Sequence, residues 1–409
     1  MALSAAARTP DKFLRLDFAK HINVVLEQLA KVINVDPEDL VFVPNATTGV
    51  NTVLRSLKFA KGEGVLHFST IYGSCGNTVE FLVDQSDGDI FSHQLDLSYP
   101  CTDTKILSDF EHALETTKGI KVAVFDHITS LPGVKLPWLD LIKLCKKYNV
   151  LSLVDGAHGI GLTHLDLGAA DPDFFISNCH KWLYSMRSTA ILYTAKRSQD
   201  LIHSMPIGHG YIPKRKNEHR ARGTGVTKSN YKTEFEWTAT SDLSPFLAIQ
   251  DALSYRHSLG GEAAIVAYIT DLASTGAAAI AEILGTEVMD VTTPIGMMNV
   301  RLPIDAKRDE QVMAPRARGD WFFRVCTDEF NTTFSPFVHN GSWWGRFSAQ
   351  IYLEVEDFEY TGRVIKKLCE RIQREHEHTT KQTTSDGDGS SVTKLMDNFG
   401  RQGLEDTVV

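Results

Sequence analysis

Two strand-like segments of the chain end in side chains that could carry chemistry. The apolar run VLSLV ends at Asp155, and the run DFFISN leads into His180 and Lys181, so that Lys181 follows Asp155 by 26 residues. In an open α/β sheet, ligands bind at the carboxyl ends of the strands. A carboxylate and a lysine at neighbouring strand ends are therefore expected to face one crevice.

The combination of a carboxylate and a lysine suits a pyridoxal cofactor. The lysine forms a Schiff base with the cofactor, and the carboxylate keeps the pyridine nitrogen protonated so that the ring accepts electrons. A salt bridge at a strand end would use the same two residue types. The spacing and shared context of Asp155 and Lys181 favour the cofactor over this structural alternative.

A segment near the N-terminus could supply the phosphate cradle that such a cofactor needs. Residues 45–49, with the sequence NATTG, lie between a strand-like and a helix-like run. The free amides and the positive dipole end of a helix favour an anion, and threonine hydroxyls donate to phosphate oxygens. An ordinary helix N-cap would explain the same residues, since Asn and Thr are preferred there.

The order of the segments predicts an α/β fold. From about residue 40 to 195, short apolar runs alternate with longer amphipathic ones, which is typical of a mainly parallel sheet covered by helices. We expect four regions: an N-terminal helical segment (1–39), a large cofactor-binding domain (40–285), a smaller α+β C-terminal domain (286–375) and a disordered tail (376–409). Residues 213–230 are basic and polar, which indicates a solvated loop.

Composition narrows the classes of partner and compartment. The 409 residues carry a net charge of −9, so no basic field would attract nucleic acid. No secretory signal or membrane-length apolar run is apparent in the sequence. The six cysteines are scattered without metal-site spacing, which argues against a metal site and fits reduced thiols in the cytoplasm.

Five ordered motifs give the sequence a family resemblance. NATTGVN, VDGAHGIG, SNCHKWL, EWTATSD and RFSAQIY resemble the class V aminotransferase-like family of fold type I pyridoxal-phosphate (PLP) enzymes. The resemblance is greatest to the isopenicillin-N-epimerase-like branch, which includes fungal hercynylcysteine sulfoxide lyases and the loline-biosynthesis PLP enzyme. It implies a large domain with a mainly parallel sheet, a smaller α+β domain and PLP as cofactor.

The resemblance also implies catalytic roles. Lys181 matches the Schiff-base lysine, Asp155 the carboxylate at the pyridine nitrogen, and His158 the position that hydrogen-bonds the phenolic oxygen. Further positions match residues that contact the phosphate or the ring: Thr47, Thr48, Tyr72, Ser130, Asn178 and His180.

Two further positions concern the partner subunit and the substrate. Thr240 matches the residue that reaches the phosphate of the neighbouring subunit, which implies a homodimer with shared active sites. Arg346 matches the arginine that binds the substrate α-carboxylate, and a planar guanidinium is suited to bidentate recognition of this group. Cys326 lies in a segment that reads as an amphipathic helix, so we expect a buried structural cysteine rather than a persulfide carrier.

The resemblance leaves the reaction open. We expect bond making or breaking at the α-carbon of an amino acid through an external aldimine, in secondary metabolism of the loline-alkaloid type. The alternative is β-elimination with C–S cleavage of a substrate such as hercynylcysteine sulfoxide, and transamination or epimerisation ranks last. Family members carry an N-terminal Asn-His-Gly turn that has no counterpart here, so a non-catalytic shortened paralogue is the rival from another class.

Overall fold

The computed structural model describes residues 8–211, 213 and 230–385. Most of the basic segment predicted as a loop, and residues 386–409 of the predicted disordered tail, lie outside this part of the chain. The chain divides into two compact units, each assembled from several stretches. The first contains residues 1–277, 289–299 and 346–354, and the second contains 278–288, 300–345 and 355–409.

The first unit is built around a sheet of seven strands in the order β1-β7-β6-β5-β4-β2-β3. Strands β3, β2, β4, β5 and β6 are parallel, whereas β7 pairs antiparallel with both β6 and β1. The predicted mainly parallel sheet is thereby confirmed. The strands are β1 Leu40–Val43, β2 Glu63–Phe68, β3 Ile90–Leu95, β4 Ile120–Asp126, β5 Leu151–Asp155, β6 Phe174–Asn178 and β7 Ala190–Thr194.

The central strands are apolar because helices cover both faces of the sheet. Every residue of β6 and β7 is buried. The helices of at least seven residues that begin in this unit are α1 Phe18–Ile33, α2 Ala46–Ser56, α3 Gly73–Gln85, α4 Asp103–Thr116, α5 Trp138–Lys147, α6 Asn230–Glu236, α7 Ser244–Ser258 and α8 Gly261–Leu284. Strand β3 lies at the edge of the sheet, and its residues are mostly half-buried. It was not predicted from the sequence because its polar side chains interrupt the apolar run expected of a strand.

Helix α8 corrects one expectation from the sequence. By length and composition alone it is apolar enough to cross a membrane, with 39% of its most apolar window buried inside the structure. Core helices of soluble proteins have the same composition. Ile265, Ile269 and Leu272 are among its buried residues.

The second unit contains the helices α9 Ala306–Glu310, α10 Pro315–Phe330 and α11 Val355–Ser385. Buried Arg318 on α10 lies 2.8 Å from Asp309 on α9, and His376 on α11 lies 3.1 Å from the same carboxylate. The ion pair and the hydrogen bond together join the three helices. Helix α11 continues through residues 376–385, where the sequence had predicted disorder.

A second sheet has three strands in the order β8-β10-β9. Its strands are β8 Met297–Arg301, β9 Ser335–His339 and β10 Ser342–Ser348. Residues 346–354 group with the first unit, whereas the sequence had assigned them to the small domain. Arg346 therefore belongs to the same unit as the predicted cofactor site.

Candidate active site

A cavity of about 170 Å³ opens in the first unit, beside the carboxyl ends of β4, β5 and β6 and the N-terminus of α2. Strand order and direction bring these ends to one edge of the sheet, as expected of an open α/β fold. Eight of the predicted site residues line it: Thr47, Tyr72, Ser130, Asp155, His158, Asn178, His180 and Lys181.

Asp155 ends β5 and is 2% exposed. Its Oδ1 accepts a hydrogen bond from the amide of Ala157 at 3.0 Å, and its Oδ2 accepts one from the thiol of Cys75 at 3.3 Å. Burial raises the pKa of Asp155, whereas these donors and the charge of Lys181 lower it. The carboxylate is therefore held in a fixed orientation at a site with little solvent.

Lys181 contacts an imidazole rather than a carboxylate. Its Nζ lies 3.0 Å from Nε2 of His158, and in the described part of the chain the Asp155 oxygens are bonded instead by the amide of Ala157 and the thiol of Cys75. The simple salt bridge that the sequence allowed is thus absent. Burial lowers the pKa of Lys181, opposed by the charge of Asp155, so the neutral amine is favoured relative to an exposed lysine.

The neighbouring Trp182 determines the tautomer of His158. Its indole Nε1–H donates to Nδ1 of His158 at 3.1 Å, and burial, followed by the charge of Lys181, holds the pKa of His158 well below its usual value. A neutral imidazole that accepts at Nδ1 carries its proton on Nε2. That Nε2–H therefore points at Nζ of Lys181, the amine whose pKa burial lowers.

Helix α2 begins at the cavity. The side chain of Asn45 accepts from the amide of Thr48 at 2.8 Å, and Oδ1 of Asn178 accepts from the amide of Ala46 at 2.9 Å. Thr47, between these two capped positions, lines the cavity, and a first-turn amide has no partner within the helix. Thr48 was predicted as a phosphate contact, but its amide and hydroxyl both donate to Asn45.

The close approach of α2 to the sheet depends on a glycine. A Cβ at Gly49 would lie 2.8 Å from Cγ2 of Ile176 on β6, closer than packed carbon atoms allow. The glycine in the motif therefore lets the helix N-terminus lie directly against the strand that leads to Lys181.

Arg346 is fixed beside Ser130. Its NH1 donates to the carbonyl of Ser130 at 2.7 Å and lies 3.4 Å from the hydroxyl of the same residue. A Cβ on Gly133 would come within 3.0 Å of Cδ of Arg346, so the arginine stem passes over this glycine. The side chain of Asn299 bonds both the amide and the carbonyl of Gly133, at 2.9 and 3.1 Å, and so fixes the surface on which Arg346 lies.

Thr240 is exposed and does not line this cavity. It follows Ala239 and precedes Ser241, which line a separate apolar groove with Phe18 and Phe246. The contribution of Thr240 to a partner subunit therefore stays a prediction.

Sequence reasoning missed several residues of the site. Asp126, which ends β4 and pairs in register with Asp155, is 4% exposed and lines the cavity. Burial and the charge of Asp155 raise its pKa well above the usual value. The signal was present, since the β4 segment ends in Asp-His much as the β5 segment ends in Asp-Gly. Cys75 and Asn299 gave no comparable signal because their roles depend on tertiary contacts.

The residues present fit PLP. One cavity is lined by a buried carboxylate, a lysine whose pKa is lowered by burial, and the first turn of a helix. These groups suit the pyridine nitrogen, the aldehyde and the phosphate of the cofactor, respectively. Bound there, PLP supplies an electron sink for carbanion chemistry at an amino acid. Lys181 would hold it covalently, Asp155 would face its nitrogen, and Thr47 would contact its phosphate.

Comparisons with known proteins agree with this assignment. Residues 5–312 match the family model described as "Aminotransferase class-V". The chain is 34% identical to an L-cysteine desulfhydrase-like protein of Epichloe uncinata, over 84% of this chain and 83% of the relative. It is 29% identical to the hercynylcysteine sulfoxide lyase of Schizosaccharomyces pombe, over 90% and 88%.

Solved structures show the same fold. The cystine C–S lyase C-DES superposes with a TM-score of 0.71 at 16% identity, covering 89% of this chain and 93% of that one. A mutant of C-DES carries glycine covalently linked to its PLP cofactor, and it superposes with a TM-score of 0.69 at 16% identity over 89% and 92%. Taken with the geometry of the cavity, these findings show that the chain belongs to the class V aminotransferase family of PLP-dependent enzymes.

Proposed function

We propose that this enzyme is a C–S lyase that acts on a cysteine-derived amino acid by β-elimination. The observation that carries the proposal is the contact between Lys181 Nζ and the protonated Nε2 of His158. It places the amine beside a buried imidazole, and burial lowers the pKa of this amine, which favours the form that can accept a proton from the α-carbon of an amino acid.

The residues of the chain divide the work of this reaction. Arg346 binds the α-carboxylate, and Lys181 Nζ takes the Cα proton. The electron pair of the Cα–H bond forms the Cα–Cβ double bond while the Cβ–S bond breaks, and sulfur leaves with the electrons of that bond. Hydrolysis of the remaining fragment gives pyruvate and ammonia, and the sulfur fragment takes up a proton.

The positions of the cysteines favour elimination over a persulfide mechanism. Cys326 is fully buried in α10 of the second unit, and Cys179 is fully buried beside His180. Burial raises the pKa of Cys179 to about 12 and that of Cys326 to about 11, so neither is a ready nucleophile. β-Elimination requires no protein thiol. The names of the two curated relatives, desulfhydrase-like and sulfoxide lyase, support the same reaction class.

Bond making or breaking at Cα without loss of sulfur, in fungal secondary metabolism, is the second candidate. The likeness to the Epichloe protein favours it, and Lys181 and Arg346 would have the same roles. For either reaction we propose a homodimer in which Thr240 contacts the cofactor phosphate bound by the neighbouring subunit. We also propose a cytoplasmic location, in keeping with six free cysteines.

One set of incubations separates the candidates. The enzyme is supplied with L-cysteine, an S-alkyl cysteine sulfoxide or hercynylcysteine sulfoxide, and pyruvate, ammonia and the sulfur product are measured. Equal molar yields of pyruvate, ammonia and the sulfur product from one of these substrates support elimination. In parallel, exchange of the Cα hydrogen of L-alanine is followed in deuterated water. Exchange without pyruvate from any sulfur substrate favours the second candidate, and the absence of both excludes Cα chemistry on these amino acids.

A further inference from the structure

A buried thiol contacts the carboxylate that faces the cofactor nitrogen. Cys75 lies in the first turn of α3, three residues after Tyr72, and is 0% exposed. Its Sγ lies 3.3 Å from Oδ2 of Asp155, within hydrogen-bond distance for sulfur. Burial, followed by the charge of Asp155, raises the pKa of Cys75 far above its usual value. The thiol therefore keeps its proton and acts as the donor.

The two oxygens of Asp155 receive donors of unequal strength. Oδ1 accepts from the amide of Ala157, whereas Oδ2 accepts from the thiol of Cys75. An S–H group is a weak donor, so it orients the carboxylate without withdrawing much of its negative charge. Burial, followed by the charge of Asp155, raises the pKa of Asp126 on the adjacent strand well above its usual value, so Asp155 is the carboxyl group of this pair that stays ionised more readily.

We infer that Cys75 is a positioning residue for the cofactor: its S–H group holds Oδ2 of Asp155 in place for the pyridine nitrogen while leaving that oxygen its charge. The inference rests on the PLP site and is independent of which substrate bond is broken. It predicts opposite consequences for two substitutions. Cys75→Ala removes the donor, so the carboxylate loses its orientation. Cys75→Ser provides a stronger donor, so the carboxylate keeps its orientation but loses basicity.

The first test observes the hydrogen bond directly, in the protein without cofactor. The infrared S–H stretching band of Cys75 is assigned from the difference between wild type and Cys75→Ser. In Asp155→Asn this band should move to higher frequency, because an amide oxygen is a weaker acceptor than a carboxylate. An unchanged band would overturn the inference without reference to activity, and it would leave the proposed lyase reaction untouched.

The second test measures cofactor binding and the pH dependence of the bound cofactor's visible spectrum. We expect Cys75→Ala to weaken cofactor affinity about tenfold, the lower end of the loss seen when a group that orients a metal ligand is removed. Cys75→Ser should retain the affinity and shift the spectral titration. Cys145→Ala is the matched control, because Cys145 is an equally buried thiol on α5 outside the cavity lining. It should lower thermal stability alone. Equal effects of Cys75→Ala and Cys145→Ala on affinity would reduce Cys75 to a packing residue.

Discussion

Trp182 Nε1 lies 3.1 Å from Nδ1 of His158 and donates to it, and this one bond determines which nitrogen of the imidazole faces Lys181. The donor comes from the residue directly after Lys181. One turn of the chain therefore supplies both the amine and the indole that orients His158 beside that amine. The indole of Trp182 is 4% exposed, which protects the bond from competition by water.

Replacing Trp182 with Phe should therefore impair catalysis while preserving the fold. Without the indole N–H, His158 can carry its proton on either nitrogen, and the donor to Lys181 is lost part of the time. We expect kcat to fall about 10- to 100-fold, the usual effect of removing a partner that fixes a tautomer. Nitrogen NMR of the imidazole should show a mixture of tautomers. Trp138→Phe, which removes another buried indole, is the control, and equal losses in both variants would contradict the assignment.

Lys181→Ala should remove turnover by at least about 10²- to 10⁴-fold, the range typical of a lost general base. Borohydride reduction of the wild-type enzyme should fix the cofactor covalently on the peptide that contains Lys181. Lys121→Ala, at the amino end of β4 and paired with Glu63, should bind cofactor and turn over normally. Peptide mapping that finds the label on another lysine would refute the central assignment.

The protein without cofactor should show a pH-dependent stability that Asp126 explains in part. Because burial raises the pKa of Asp126 in the folded state, its contribution is present below the unfolded pKa, near 3.8, and is lost as pH rises through the folded pKa. In Asp126→Asn this loss is absent. The variant should gain stability relative to wild type as pH rises through the folded pKa of Asp126, because an amide has no charge that burial penalises.

Denaturant unfolding at several pH values between about 2 and 8 checks this sign. Asp242→Asn is a control of opposite direction, since hydrogen bonds from Ser244 lower the pKa of Asp242. Its contribution is present above the unfolded pKa and is lost as pH falls through the folded pKa. Parallel stability curves for wild type and Asp126→Asn would show that Asp126 does not titrate as inferred.

The sequence was sufficient to predict the site residues that lie at the ends of buried strands. Asp155 and Lys181 end or follow buried apolar strands, and the parallel topology brings such ends together. Contacts between distant segments were not predictable in this way. Cys75 and Asp155 are 80 residues apart, and Gly133 and Asn299 are 166 residues apart, so neither pair leaves a local pattern. The family resemblance implied the role of Arg346, but the chain order placed this residue in the small domain, whereas residues 346–354 belong to the first of two discontinuous units.

Arg346→Ala should raise KM for an amino-acid substrate far more than it alters cofactor content. Burial lowers the pKa of Arg346 to about 10, so the guanidinium is still charged near neutral pH and can bind a carboxylate. Losing one partner of a buried charge pair costs about 2–5 kcal/mol, which corresponds to a KM increase between tens and thousands of fold. Arg346→Lys keeps the charge without the planar fork, so it should recover part of the loss.

An amine that lacks the α-carboxylate separates recognition from structure in the Arg346 variants. For wild type the amine should be a poor substrate, because nothing remains for the guanidinium to bind. Its kcat/KM should then be nearly the same in wild type and Arg346→Ala. If the amine and the amino acid suffer equally, the main role of Arg346 is its bond to the carbonyl of Ser130. The substrate carboxylate would in that case be bound elsewhere, and the assignment of an α-amino acid as substrate would have to be revised.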